Sequence, residues 1–117
     1  MANSLFIGWG QPIPGRQQKA NQVFNEAVQY WQQLKQRGEV ESFAVYQLEP
    51  HGGDLSGFLI AQGDSDKLAH LRMSPEFIRI NARAQAVVQH FGIVGASTGQ
   101  ELQQLFEMFE QVSKDLG

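Results

Sequence analysis

The spacing of hydrophobic and polar positions changes several times along the chain, and each change marks an element. Ser4 to Gly10 alternates, with Leu5, Ile7 and Trp9 on one side and Phe6, Gly8 and Gly10 on the other, which predicts a strand. Gln11-Pro12-Ile13-Pro14-Gly15 ends it, because proline has no N–H for a ladder and glycine admits a turn. From Arg16 to Arg37 the apolar positions Ala20, Val23, Phe24, Ala27, Val28, Trp31 and Leu34 step by three and four, a helical stripe closed by Gly38. Val40 to Leu48 predicts a second strand carrying Phe43, Val45 and Tyr46, and Leu55 to Ala61 a third, with the turn residues Glu49 to Asp54 between them. Asp64 or Ser65 can cap a short helix containing Leu68 and Leu71. Ser74-Pro75-Glu76 restarts that pattern with a cap, a proline at the first position and an acid in the first turn. The result is a two-part helix, broken at Met73-Ser74, that turns Phe77, Ile80, Ala84 and Val87 inward and runs to about Val88. His90 to Ala96 reads as a fourth strand, and an amphipathic helix with Leu102, Leu105, Phe106, Phe109, Val112 and Leu116 follows.

The order β-α-β-β-α-β-α, with no linker or repeat, predicts one domain over residues 1–117. Its class is α+β: a ferredoxin-like plait with a four-stranded antiparallel sheet, helices on one face and an extra C-terminal helix. The other face does not read as polar. Phe6, Phe58, Ile60, Phe91 and Ile93 are expected there, opposite Leu5, Ile7, Trp9, Leu59 and Val94. An exposed apolar patch of that size is rare on a monomer, so a homodimer through two-fold packing of the sheet faces is expected. The last helix can hide part of the face within one chain, leaving the rest for a partner sheet.

Charge and composition narrow the function. Nine Lys and Arg against 12 Asp and Glu give a net charge of −3, and the densest basic stretch is Arg72, Arg79 and Arg83 on one helix. No surface is basic enough to displace counterions from nucleic acid, so no nucleic-acid partner is expected. No apolar run approaches the roughly 20 residues that cross a bilayer, so no membrane partner is expected either. The chain has no cysteine, which excludes disulfides, thiol nucleophiles and cysteine metal sites. Its first residues carry neither a basic segment nor a cleavable apolar one, and the expected compartment is the cytoplasm.

Candidate chemistry rests on few residues. His51, His70 and His90 lack metal-ligand spacing and no carboxylate cluster accompanies them, so no metal is expected. Gly8-Trp9-Gly10 is not a phosphate-binding fingerprint, and no serine sits in a nucleophile elbow. His90 alternates with Gly92 and Val94, small neighbours that leave room for a ligand, which makes it the best candidate for a general base. Trp9 and Tyr46 are amphipathic rings that could line a pocket with it. The plainer readings are core aromatics and a half-exposed histidine at a strand end. His51 and Asp54 could form a proton-transfer pair or simply serve the turn that holds them, and His70 could face solvent or the sheet edge.

The layout, the helix broken at Met73-Ser74-Pro75-Glu76-Phe77 and the apolar strand His90-Phe91-Gly92-Ile93-Val94 resemble the dimeric α/β barrel proteins. The resemblance implies two ferredoxin-like chains pressing their sheets together, with a ligand pocket between the sheet and helices of each. That superfamily includes cofactor-independent monooxygenases, muconolactone isomerase-like proteins and haem-degrading enzymes. The haem-degrading branch carries an Asn, Trp and His constellation, but here the segment around Ser74 to Phe77 has no His or Trp. Two functions are therefore held open. One is a dimeric domain that binds a small apolar molecule. The other is a small enzyme acting without cofactor on an aromatic or lactone-like substrate.

Overall fold

A computed structural model describes all residues, 1–117. The elements are β1 (Ser4–Trp9), α1 (Gln17–Gln36), β2 (Ser42–Gln47), β3 (Gly57–Gln62), α2 (Ser65–Met73), α3 (Pro75–Gln85), β4 (Gly92–Ala96) and α4 (Gly99–Asp115). The strands form one antiparallel sheet in the order β2-β3-β1-β4. This is the ferredoxin-like plait, and its element order follows the periodicity of the sequence.

Local chemistry sets the boundaries. Gly38 takes φ +76° after α1, and the Gly38 and Glu39 N–H groups donate to the Lys35 and Leu34 carbonyls at 3.1 and 2.9 Å. Only glycine reaches that left-handed geometry without a Cβ penalty. Asp64 caps α2 by accepting from the Lys67 N–H at 3.1 Å. The Ser74 hydroxyl accepts from the Phe77 N–H at 3.3 Å and donates to the Leu71 carbonyl at 2.9 Å, so one side chain ends α2 and starts α3.

The register decides which side chains share a face. Leu5, Ile7, Leu59, Ala61, Phe43, Val45 and Ile93 point toward the helices, where Tyr30, Trp31, Leu34, Leu68, Leu71 and Phe77 meet them in one core. The outer face carries Phe6, Tyr46, Phe58, Ile60 and Val94. Phe58 stacks between Tyr46 and Phe6, with ring centroids 4.9 and 5.2 Å apart.

Three expectations are corrected. Phe91 and Ile93 belong to the inner side: Ile93 lies opposite Ile7 in the ladder and Phe91 packs against the core, whereas Val94, opposite Phe6, takes the outer place. The fourth strand begins at Gly92; His90 precedes it with φ +54° and so lies outside the alternation. Finally, α4 does not cover the chain's own sheet. None of its residues is buried, and it packs against no other element. It projects from the body, giving a radius of gyration of 16.4 Å. A compact chain of this length would have about 13 Å.

Candidate functional site

Between the inner sheet face and the α1–α3 layer lies a cavity of about 360 Å³ lined by 22 residues, 15 of them hydrophobic. That is within the size range of small-molecule sites. Its floor is buried: Ile7, Trp31, Leu59 and Val87. Its mouth is marked by exposed lining residues, Gln11, Asn21, Phe24 and Gln47. Small residues create the space. Ala27 on α1 and Ala84 on α3 stand where larger side chains would close the gap.

Two devices hold the walls apart yet fixed. The Arg83 guanidinium on α3 donates to both carboxylate oxygens of Glu26 on α1, each at 3.0 Å. Both groups are part-exposed, so the pair contributes at most about 1 kcal/mol. Its fork geometry fixes the spacing of the two helices. At the mouth, Gln11–Ile13 pairs with Val87–Gln89: Ile13 N–H donates to the Val87 carbonyl at 2.9 Å and Gln89 N–H to the Gln11 carbonyl at 2.8 Å. Gly10 sits at the junction of three segments, where a Cβ would lie 2.8 Å from the Gln89 carbonyl and 2.9 Å from that of Asp54.

The lining contains no titratable side chain; its polar members are neutral, among them Gln11, Asn21, Gln47, Ser56 and Asn81. The Asn81 amide nitrogen donates to the Phe77 carbonyl at 2.9 Å, which leaves its carbonyl oxygen for a guest. A carboxylate or ammonium placed inside would find no counter-charge in the lining to offset the water it gives up. The cavity is chemically suited to a neutral, apolar molecule with one or two hydrogen-bonding groups.

The residues singled out from sequence fall in three places. Trp9 lines the cavity and meets Phe24 edge-on, with ring centroids 6.0 Å apart. Tyr46 is on the opposite sheet face, 48% exposed, in the stack with Phe58. His90 does not line the cavity; it stands outside the mouth beside Gly10, its Nε2 4.0 Å from Asp54 Oδ1, with side chains 58% and 81% exposed. Of these three residues only Trp9 lines the cavity; His90 stands beside Gly10 and Tyr46 lies on the other sheet face. His51 is absorbed by its hairpin: Nδ1 accepts from the Gly53 N–H at 3.2 Å, which leaves Nε2 as the donor to the Leu55 carbonyl at 2.7 Å. His70 is exposed on α2.

Trp31, Phe24, Val45, Phe91 and Asn81 line the cavity and were not among the candidates. Asn81 had a signal, since it stands at helical spacing between Phe77 and Ala84 as a lone amide on an apolar stripe. Burial leaves its mark elsewhere in this layer. The Tyr30 hydroxyl is buried with no hydrogen-bond partner, and burial pushes its pKa above 10.0, with the nearby Ser74 hydroxyl opposing the shift.

Comparison with known proteins places the fold. No family model and no curated protein sequence matches the chain. Solved structures do. One is a dimeric ferredoxin-like protein of unknown function from Thermobifida fusca, with TM-score 0.61 and 12% identity over 81% of this chain and 90% of that one. Another is a dimeric protein of unknown function with a ferredoxin-like fold from Bacteroides fragilis, with TM-score 0.59 and 11% identity over 81% and 95%. A third is SnoaB, a cofactor-independent oxygenase from Streptomyces nogalater, with TM-score 0.52 and 16% identity over 86% and 98%. At such identities the likeness establishes the fold alone: this chain has the ferredoxin-like fold.

Proposed function

We propose that the chain is one subunit of a homodimer that binds a neutral, flat, apolar small molecule in the cavity between its sheet and helices. The observation that carries this reading is the cavity itself: 360 Å³, predominantly apolar, and free of titratable side chains. Dimerisation through the outer face is supported by the stack of Tyr46, Phe58 and Phe6 beside Ile60 and Val94, which water alone would otherwise cover. The dimeric state named for two of its structural neighbours agrees with it.

Both tryptophans of the chain, Trp9 and Trp31, line the cavity, so intrinsic fluorescence reports its occupancy. Titration with 1-naphthol is expected to change the emission saturably. In Ala27→Phe, which fills the space, the response should vanish while the circular dichroism spectrum stays the same. A saturable response of unchanged affinity in that variant would place the naphthol elsewhere and contradict the reading.

A second reading is catalytic, and the His90–Asp54 approach at the mouth favours it. A guest projecting past Gly10 would present an acidic proton to the His90 imidazole, with Asp54 beside it to stabilise the imidazolium. SnoaB shows that this fold can house cofactor-independent oxygenation. An NMR titration of the three histidines with 1-naphthol separates the two: a response at His90 supports the catalytic reading, and none leaves binding alone.

A further inference from the structure

Two apolar surfaces of this chain lack a partner: the outer sheet face, and the stripe Leu102, Leu105, Phe106, Phe109, Val112 and Leu116 on α4. We infer that α4 is an arm that clasps a second copy of the chain, laying this stripe on the partner's body beside the packed sheets. The inference rests on the reading that two copies meet through their outer faces.

The arm lies on no other element of its own chain, and its root is fixed. Asn3 bonds Thr98 twice, donating to the Thr98 carbonyl at 3.1 Å and accepting from the Thr98 N–H at 3.0 Å. The Met1 ammonium reaches Glu101 at 3.0 Å. Beyond this root α4 runs free of the other elements, with Phe106, Met108 and Phe109 more than half exposed. A lone 17-residue helix is marginal in water, since helices in proteins owe most of their stability to packing of an apolar face. The charge follows the same division. Glu101, Glu107, Glu110, Asp115 and Lys114 give α4 the whole net charge of −3, and every one of them lies off the stripe.

Area identifies the occupant. Four strands of five to six residues present about 350 Å² of sheet face, at about 4.8 Å between strands and 3.3 Å per residue. A specific interface takes about 800 Å² per partner, so the sheet face alone supplies less than half. The stripe side of α4 adds a strip roughly 25 Å by 10 Å, about 250 Å². In a two-fold dimer each copy both extends an arm and receives one, which brings the total per partner to about 850 Å². A second copy supplies every missing surface; no other molecule is needed.

Phe106→Asp/Phe109→Asp in the full-length chain tests the arm, and Phe58→Asp tests the sheet face, both by sedimentation equilibrium across concentrations. The wild type is expected to be a dimer. The α4 variant should raise the dimer dissociation constant on the order of 100-fold, since two apolar contacts are lost on each of two arms. The thermal midpoint of the dissociated body should stay unchanged, since Phe106 and Phe109 are more than half exposed in the single chain. An unchanged dissociation constant would overturn the arm while leaving the sheet-face dimer standing. A wild type that is monomeric at micromolar concentration, with Phe58→Asp without effect, would overturn both.

Discussion

Replacing Trp31 by alanine probes the wall that carries both the core and the cavity. Trp31 is 2% exposed and meets Tyr30, Phe43 and Phe77 with ring centroids 6.0, 6.4 and 6.3 Å away, the first and last edge-on. Removing a buried tryptophan costs about 3–5 kcal/mol, from lost transfer energy and the space left behind. The three ring contacts place this site toward the upper end. With an unfolding entropy near 2.1 cal/mol/K per residue, a 117-residue chain loses about 4 °C of Tm per kcal/mol, so a fall of about 12–20 °C is expected. Thermal unfolding followed by circular dichroism, at one fixed protein concentration so that association contributes equally, measures it. Trp9→Ala is the internal control. Trp9 is only part-buried at the cavity and pairs with the exposed Phe24, so its loss should cost less than half as much. A Trp31→Ala loss under about 1 kcal/mol would refute the packing described here, because no buried ring of that size leaves so cheaply.

Other perturbations have equally definite outcomes. Phe58→Asp puts an unpaired carboxylate between the Tyr46 and Phe6 rings and should give a monomeric mass by light scattering, while a dimeric mass would exclude the outer face as the interface. The raised Tyr30 pKa means that the folded state holds the phenol proton more tightly than the unfolded state. Its stabilising effect is therefore complete below pH 10 and is lost as pH rises above 10. In Tyr30→Phe that alkaline loss should shrink, and the neutral-pH stability should hold or rise by up to about 1 kcal/mol, since an unpartnered buried hydroxyl is removed. His90→Gly should raise the urea midpoint by the equivalent of up to about 1 kcal/mol, because φ +54° costs glycine nothing; a lower midpoint would show that the imidazole–Asp54 approach contributes more than the strain.

The fold was legible wherever local chemistry and burial agree. Ser74-Pro75 reads as a helix start because the hydroxyl cap and the proline act within one turn, and Gly38 reads as a stop for the same reason. Phe91 and Ile93 were not legible. β4 is apolar on both sides, so composition cannot say which side faces the helices; the pairing of Ile93 with Ile7 and Val94 with Phe6, set by long-range register, decides it. Tyr46 was separable from Phe43 and Val45 by alternation, but which face encloses a cavity depends on Ala27 and Ala84, far away in the chain. His90 was misjudged as part of a strand because no sequence signal marks a histidine that takes a positive φ. The stripe on α4 was visible from its spacing, but no other element of the single chain lies against it.

The most direct measurement of the central claim uses the two indole N–H signals in a ¹⁵N-resolved NMR spectrum, one from Trp9 and one from Trp31. Titrations with 1-naphthol and with 1-naphthoate compare guests of similar shape and different charge. An uncharged cavity between sheet and helices should give saturable shifts of both indoles with the naphthol. The naphthoate should bind at least about tenfold more weakly, because its carboxylate meets no cation inside. Equal or tighter binding of the naphthoate, or shifts at neither indole, would contradict the cavity as the binding site for neutral molecules.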